Sequence, residues 1–244
     1  MRPSERLWHL LWKYGMTVEF RAVWVEGIDL PEIGRRLGAD LRSAQRCGLI
    51  ELIDGLSYGD GTAVIWADRL NNDWIQIIEA QGRECSYALT DLSARGGQAM
   101  RMGWGLNGIA DLVYSVDGEE TTVFSVTVPG ERWGKAPGAL DSYAAGLRFD
   151  LEDTSWKTDP DLPSEWMAFA EWAESSPLSE QSDADLVLPE GWWDFYEMSL
   201  NGYDPAVATC VTSALTLIGR MTGREIDDAW LSGIHTRLAM PVEL

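Results

Sequence analysis

The stretch Gly61-Thr-Ala-Val-Ile-Trp-Ala-Asp-Arg-Leu-Asn-Asn-Asp-Trp-Ile-Gln-Ile-Ile-Glu79 decides how the rest of the chain is read. Val64, Ile65 and Trp66 form an apolar run, and Ile75, Ile77 and Ile78 answer it. β-Branched and aromatic residues at this density favour a pleated surface. Asn71-Asn72-Asp73 between the runs reads as a tight turn, because Asn and Asp tolerate the left-handed backbone such a turn needs. Trp74, Ile75, Ile77 and Ile78 are too continuous for a strand with one wet face, so this strand is expected at the centre of a sheet, covered on both sides. Glu79 ends it. That carboxylate either caps a loop or pairs with Arg83, or it is drawn inward as a functional acid.

On the N-terminal side, Leu7, Trp8, Leu11 and Trp12 fit one helical face after Pro3-Ser4. Met16 to Glu26 alternates, with Val18, Phe20, Ala22 and Trp24 opposed to Thr17, Glu19 and Arg21, and reads as an edge strand with one wet face. Asp29-Leu-Pro-Glu-Ile-Gly-Arg-Arg-Leu-Gly38 carries a cap, a first-turn proline and a stop, the marks of a short helix. Cys47 to Ile53 is open between strand and helix, and Gly55 to Gly61 reads as loop.

On the C-terminal side, Leu89 to Arg95 is a helical turn, and Gln98–Trp104 and Ile109–Val116 are strands. Asp117-Gly118 is a hairpin turn, with Thr121–Val128 returning. Pro129–Pro137 reads as loop and Leu140–Leu147 as a short helix. Residues 1–149 thus form an α+β body, a mostly antiparallel sheet with flanking short helices. Residues 150–203 are an acidic, Trp-rich insertion or subdomain, with helices at Ser164–Ser175 and Gly191–Leu200. Residues 204–244 add a helical pair, Pro205–Thr222 and Glu225–Leu231, packed on the body within one compact domain, and a tail from His235 laid over the surface.

The 244 residues carry a formal charge of −20 and 13 Trp. Such a charge repels phosphate, which argues against direct nucleic-acid or anionic-membrane binding and suits a basic protein or a cationic ligand. Cys47, Cys85 and Cys210 are far apart and fit neither a disulfide framework nor a zinc site. Free thiols in a reducing cytoplasm are the simplest account. Neither a signal peptide nor an apolar run near the ~18 residues of a membrane span is present in the sequence.

Asp73-Trp74-Ile-Gln-Ile-Ile-Glu79-Ala-Gln-Gly82, Leu92-Ser93-Ala-Arg-Gly96, Leu112-Val-Tyr114-Ser-Val-Asp117-Gly118-Glu119, Phe124, Pro129-Gly-Glu-Arg132-Trp-Gly134 and Ala214-Leu-Thr-Leu-Ile-Gly-Arg-Met-Thr222-Gly223 occur in this order. In that order they resemble the actinobacterial domain of unknown function 6461 family. The likeness covers about two-thirds of the chain and omits the acidic stretch around 150–200. The resemblance supports the α+β fold and a bacterial, intracellular setting, and implies nothing about catalysis.

Chemistry is thinly signalled. Only His9 and His235 are present to serve as a catalytic base, each near a chain end. Imidazole and thiolate ligands do not cluster in the sequence, so neither metal nor cofactor is expected. Gly103-Trp-Gly105-Leu-Asn-Gly108 matches GxGxxG in letters alone, without a strand leading into a helix. Glu79 and Asp117 are the weak catalytic candidates, Asp117 being first a turn residue.

The strongest surface signal is aromatics among acids: Trp156, Trp166, Trp172, Trp192, Trp193, Tyr196 and Tyr203 with Glu190, Asp194 and Glu197. Such a set holds a cation or meets a basic partner, or its rings pack the insertion on the core. The expectation is a non-enzymatic cytoplasmic interaction protein, of an immunity, inhibitor or accessory kind, which binds a basic protein through Trp166, Trp172, Trp192, Trp193, Tyr196, Glu190, Asp194 and Glu197. The alternatives are a DNA mimic, and a small-molecule binder or enzyme with an inward carboxylate in a Trp-lined pocket.

Overall fold

The computed structural model describes residues 2–56, 62–81, 88–105, 108–128, 130–155, 164–175, 188–200 and 203–241. The quoted stretch folds as the hairpin β3 (Thr62–Arg69) and β4 (Trp74–Gln81). Its turn departs from the expected backbone: neither Asn71 nor Asn72 takes a positive φ. Instead, Asn71 Oδ1 accepts from the backbone N–H of Asp73 (3.0 Å) and of Trp74 (2.9 Å), so the side chain itself closes the turn. Asn71 Nδ2 also donates to the Thr222 carbonyl at 2.7 Å, which ties the hairpin to the helix above it.

Four further strands extend this hairpin: β1 (Phe20–Glu26), β5 (Gln98–Gly105), β7 (Leu112–Val116) and β8 (Glu119–Phe124). Short β6 (Gly108–Ile109) and β9 (Arg132–Trp133), then β2 (Asp40–Cys47) and β10 (His235–Pro241), complete the set. Among the described residues these ten strands make one sheet, in the order β2-β10-β3-β4-β1-β5-β7-β8-β9, with β6 on β5. Each of these pairings is antiparallel.

Two expectations are overturned here. The first strand is central rather than an edge, between β4 and β5. The polar Thr17 and Glu19 that suggested a wet face precede the strand, whereas Val23 and Val25 inside it are fully buried. The segment from His235 is no tail: it pairs with both β2 and β3. Leu238 and Met240 face the core beneath it, an alternation diluted in sequence by Thr236 and Arg237. Cys47–Ile53, left open between strand and helix, divides into the end of β2 and α3 (Leu49–Asp54), and the loop expected at 129–137 contains β9.

Both faces of the sheet are covered. One side carries α1 (Arg6–Lys13), α3, α5 (Asp141–Ala144), α6 (Ser164–Ser175), α7 (Trp193–Leu200), α8 (Pro205–Thr222) and α9 (Asp228–Leu231) over a core that includes Trp24, Trp66, Trp74 and Tyr114. The other carries α2 (Leu30–Arg36) and α4 (Leu89–Ser93) over Val23, Ile65, Ile75 and Ile77. Helix α2 starts as the sequence predicts, with Asp29 Oδ1 accepting from the Glu32 N–H at 2.8 Å. Arg36 then joins it to α4 by donating to the Asp91 carbonyl at 2.6 Å. Helix α8 starts on the Asp204 cap and ends at Gly223, φ +76°. The outer strand β2 is exposed along most of its length, with Ser43 and Cys47 half-buried, and its register against β10 jumps between Gln45 and Asp40. Bulging and charge blunt an otherwise open edge.

Candidate functional site

The acidic, Trp-rich segment is built from the inside out. Trp166 and Phe169 of α6 and Tyr196 of α7 lie in the core, 5 %, 1 % and 7 % exposed. Trp166 packs edge-on against Tyr203 at 4.9 Å and against Phe195 at 5.4 Å. Trp172 and Trp192, half-buried, meet at 5.8 Å, and Phe169 touches both. Of the aromatics expected to meet a partner, the structure therefore uses Trp166 and Tyr196 for packing and leaves Trp172 and Trp192 half-covered. Trp193 is the one that projects, 45 % exposed, with its ring edge-on to Tyr196 at 5.9 Å. Glu190, Asp194 and Glu197 are exposed around it. Trp156 lies outside the described residues.

A buried polar network roots this segment in the N-terminus. Tyr203 donates to Glu5 Oε1 at 2.8 Å, Arg2 pairs with Glu5, and His9 Nε2 lies 3.6 Å from Glu5 Oε2. Burial pushes the Glu5 carboxyl up, but the hydrogen bonds from His9, Arg2 and Tyr203 outweigh it and hold the group below its ordinary value. The Tyr203 phenol is pushed up by burial and by the Glu5 charge, which keeps it a donor.

His235 is equally committed. Its ring stacks on Trp230 at 4.3 Å and meets Trp66 at 4.4 Å, with Nε2 2.6 Å from the Trp230 carbonyl and Nδ1 3.3 Å from Asp68 Oδ2. The described cysteines are not activated: burial raises the Cys47 thiol, and burial with nearby carboxylates pushes Cys210 up to about 12. Cys85 lies outside the described residues. Among the described residues no three His, Cys, Asp or Glu side chains come together as metal ligands.

The two candidate acids part company. Glu79 is half-buried near the end of β4, paired in register with Ile65. Arg83, its expected partner, lies outside the described residues. Asp117 forms the hairpin turn with Gly118, φ +49° and +79°, and its Oδ1 accepts from the Gly96 N–H at 2.7 Å. It also lines a groove of about 770 Å³ at the end of the sheet, together with Glu26, Trp74, Gln98, Tyr114 and Tyr143. Sequence reasoning missed Glu26, because only the strand order sets it beside Trp74, its partner in the register. The three glycines of GxGxxG, Gly103, Gly105 and Gly108, fall in β5 and β6, away from any helix start among the described residues, and Gly103 is needed for packing: a Cβ there would sit 2.6 Å from the Phe20 carbonyl oxygen.

No helix among the described residues is long and apolar enough to cross a membrane. Comparisons with protein-family models, curated proteins and solved structures gave no match.

Proposed function

We propose that this is a non-enzymatic protein that binds a basic protein partner through the exposed face of α7. The observation that carries this is Trp193, a large ring 45 % exposed and surrounded by the exposed carboxylates Glu190, Asp194 and Glu197. An aromatic anchor ringed by charge is the pattern of an interface hot spot with an electrostatic rim. The buried rings beneath, Trp166, Phe169 and Tyr196, hold that anchor on a firm base, which lowers the ordering cost on binding. The overall charge of −20 draws a cationic partner and repels nucleic acid. A cytoplasmic setting, and kinship with the domain of unknown function 6461 family, belong to the same proposal and add no chemistry to it.

The test is capture of basic proteins from host lysate by the wild type, by Trp193→Ala and by a Glu190→Gln, Asp194→Asn, Glu197→Gln triple variant. A hot-spot tryptophan is worth about 2 kcal/mol or more, so Trp193→Ala should weaken the captured complex roughly thirtyfold. The triple variant should bind more slowly and lose its salt dependence. Undiminished binding by both variants would remove the proposal. Competition by duplex DNA for the captured protein would convert it into the DNA-mimic form.

A further inference from the structure

We propose that the groove at the end of the sheet is a binding site for a small organic amine, with its ammonium group held by Glu26. The site does not depend on the α7 reading and lies on different elements.

Strand order assembles it. Glu26 ends the central strand and sits opposite Trp74 of β4, while Gln98 at the start of β5 sits opposite Val116 of β7, which in turn faces Glu119 of β8. These positions follow the parity of Trp24, Met100 and Tyr114, so their side chains stand on the helix-rich face of the sheet. Met221 near the end of α8, together with Lys135, Ala139 and Tyr143 from the connection after β9, forms the opposite wall. The groove is open to solvent on one side, and its volume of about 770 Å³ falls in the ~300–1,000 Å³ range of small-molecule sites.

The lining selects charge. Three carboxylates, Glu26, Asp117 and Glu119, face one ammonium group, Lys135. Glu119 is paired with Lys135, and Asp117 is committed to the Gly96 N–H. Glu26 is half-buried, and its carboxylate makes neither a hydrogen bond nor an ion pair among the described residues. A partly buried carboxylate left without a counter-charge gains most from a ligand that brings one. The Tyr114 phenol is raised by burial, then by Tyr143 and by the Glu26 charge.

The other groups fit an organic body on the amine. The rings of Trp74 and Tyr114, 4 % and 9 % exposed, and of the half-buried Tyr143 line the groove, and aromatic lining attracts an ammonium and covers an apolar or flat group. Tyr114 donates to Gln98 Oε1, so the Gln98 amide is oriented with its NH2 as a donor free of protein partners among the described residues. A bare metal cation would make no use of these rings, and an anion would meet Glu26 first.

The experiment uses the full chain with phenethylammonium as probe, 2-phenylethanol as its neutral isostere and phenylacetate as its anionic one, read by titration calorimetry and by tryptophan indole N–H shifts. Saturable binding of phenethylammonium is expected, at least tenfold tighter than that of the alcohol, with no binding of phenylacetate. Glu26→Gln should weaken the amine at least tenfold and leave the alcohol unchanged. Lys135→Ala, a change at an exposed ion pair, should tighten the amine severalfold by freeing Glu119, and it keeps the test open if Glu26→Gln fails to fold. Equal binding of amine and alcohol, no saturable binding of either, or indifference of the amine to both variants would overturn the proposal.

Discussion

Tyr203 donates its phenolic hydrogen to Glu5 Oε1 at 2.8 Å, so the end of the acidic segment is fastened to the first turn of the chain. The bond is buried and one partner is a carboxylate. Such bonds are worth about 1.5–3 kcal/mol. Tyr203→Phe should lower the unfolding free energy by that amount in a urea titration, and the tryptophan fluorescence of the α6–α7 region should change at a lower urea concentration than the far-UV signal of the sheet.

Acid should act on the same bond. Glu5 titrates below its ordinary value in the folded protein despite its burial, because His9, Arg2 and Tyr203 favour the carboxylate. A carboxylate depressed on folding stabilises fully above its unfolded pKa, about 4.3, and that contribution is lost as the pH falls through the lower folded value. The stability gap between wild type and Glu5→Gln should be widest at pH 6 and close progressively below about pH 4, as urea midpoints at each pH would show. A gap that widens in acid would refute the assignment.

Gly103 and Gly105 separate packing from phosphate binding. A Cβ at residue 103 would lie 2.6 Å from the Phe20 carbonyl oxygen, whereas one at residue 105 meets nothing within 4 Å. Gly103→Ala should cost about 1–3 kcal/mol by overpacking between β5 and β1. Gly105→Ala should be neutral or slightly stabilising, because Gly weakens a strand interior. Thermal melts of the two variants make the comparison.

Asp117 occupies a left-handed position with φ +49° and caps the Gly96 N–H. Asn keeps both the conformation and an acceptor, while Ala keeps neither. Asp117→Asn should stay within about 0.5 kcal/mol of wild type and Asp117→Ala should lose about 1–2 kcal/mol. Equal losses would mean that the carboxylate charge, not the turn, is what matters there.

Leu238 tests the last strand. It is 2 % exposed and belongs to the core under α2 and α4. Leu238→Ala should cost about 2–5 kcal/mol as a buried truncation, measurable by denaturant unfolding. A surface tail would give a change near zero.

Sequence patterns carried the fold where periodicity was strong. The Trp74–Ile78 run announced a strand buried on both faces, and Asp117-Gly118 announced its hairpin. Asp204-Pro205 and Gly223 marked both ends of α8. β10 was illegible because two of its core contacts, Leu238 and Met240, are separated by one small residue and preceded by Thr and Arg. The central place of β1 was hidden by the polar residues just before it. At the α6–α7 segment the composition located the aromatics, but which ring projects depends on how two helices pack. The groove was invisible for a different reason: Glu26, Trp74, Gln98 and Tyr114 are brought together by the order β4-β1-β5-β7, and no local pattern encodes that order.

The place of β10 also bears on the order in which the molecule can be made. Translation delivers β3 and its partner β4 early, but the neighbour on the other flank of β3 arrives only after α8 and α9 have emerged. Until then the backbone of Val64, Ile65 and Trp66 presents an apolar, hydrogen-bonding rim to the surrounding cell, and β2 has nowhere to join. A chain folded without β10 would thus leave the β3 rim unpaired, a template for unwanted pairing. Arrival of His235–Pro241 seats β2 and removes that hazard in one step.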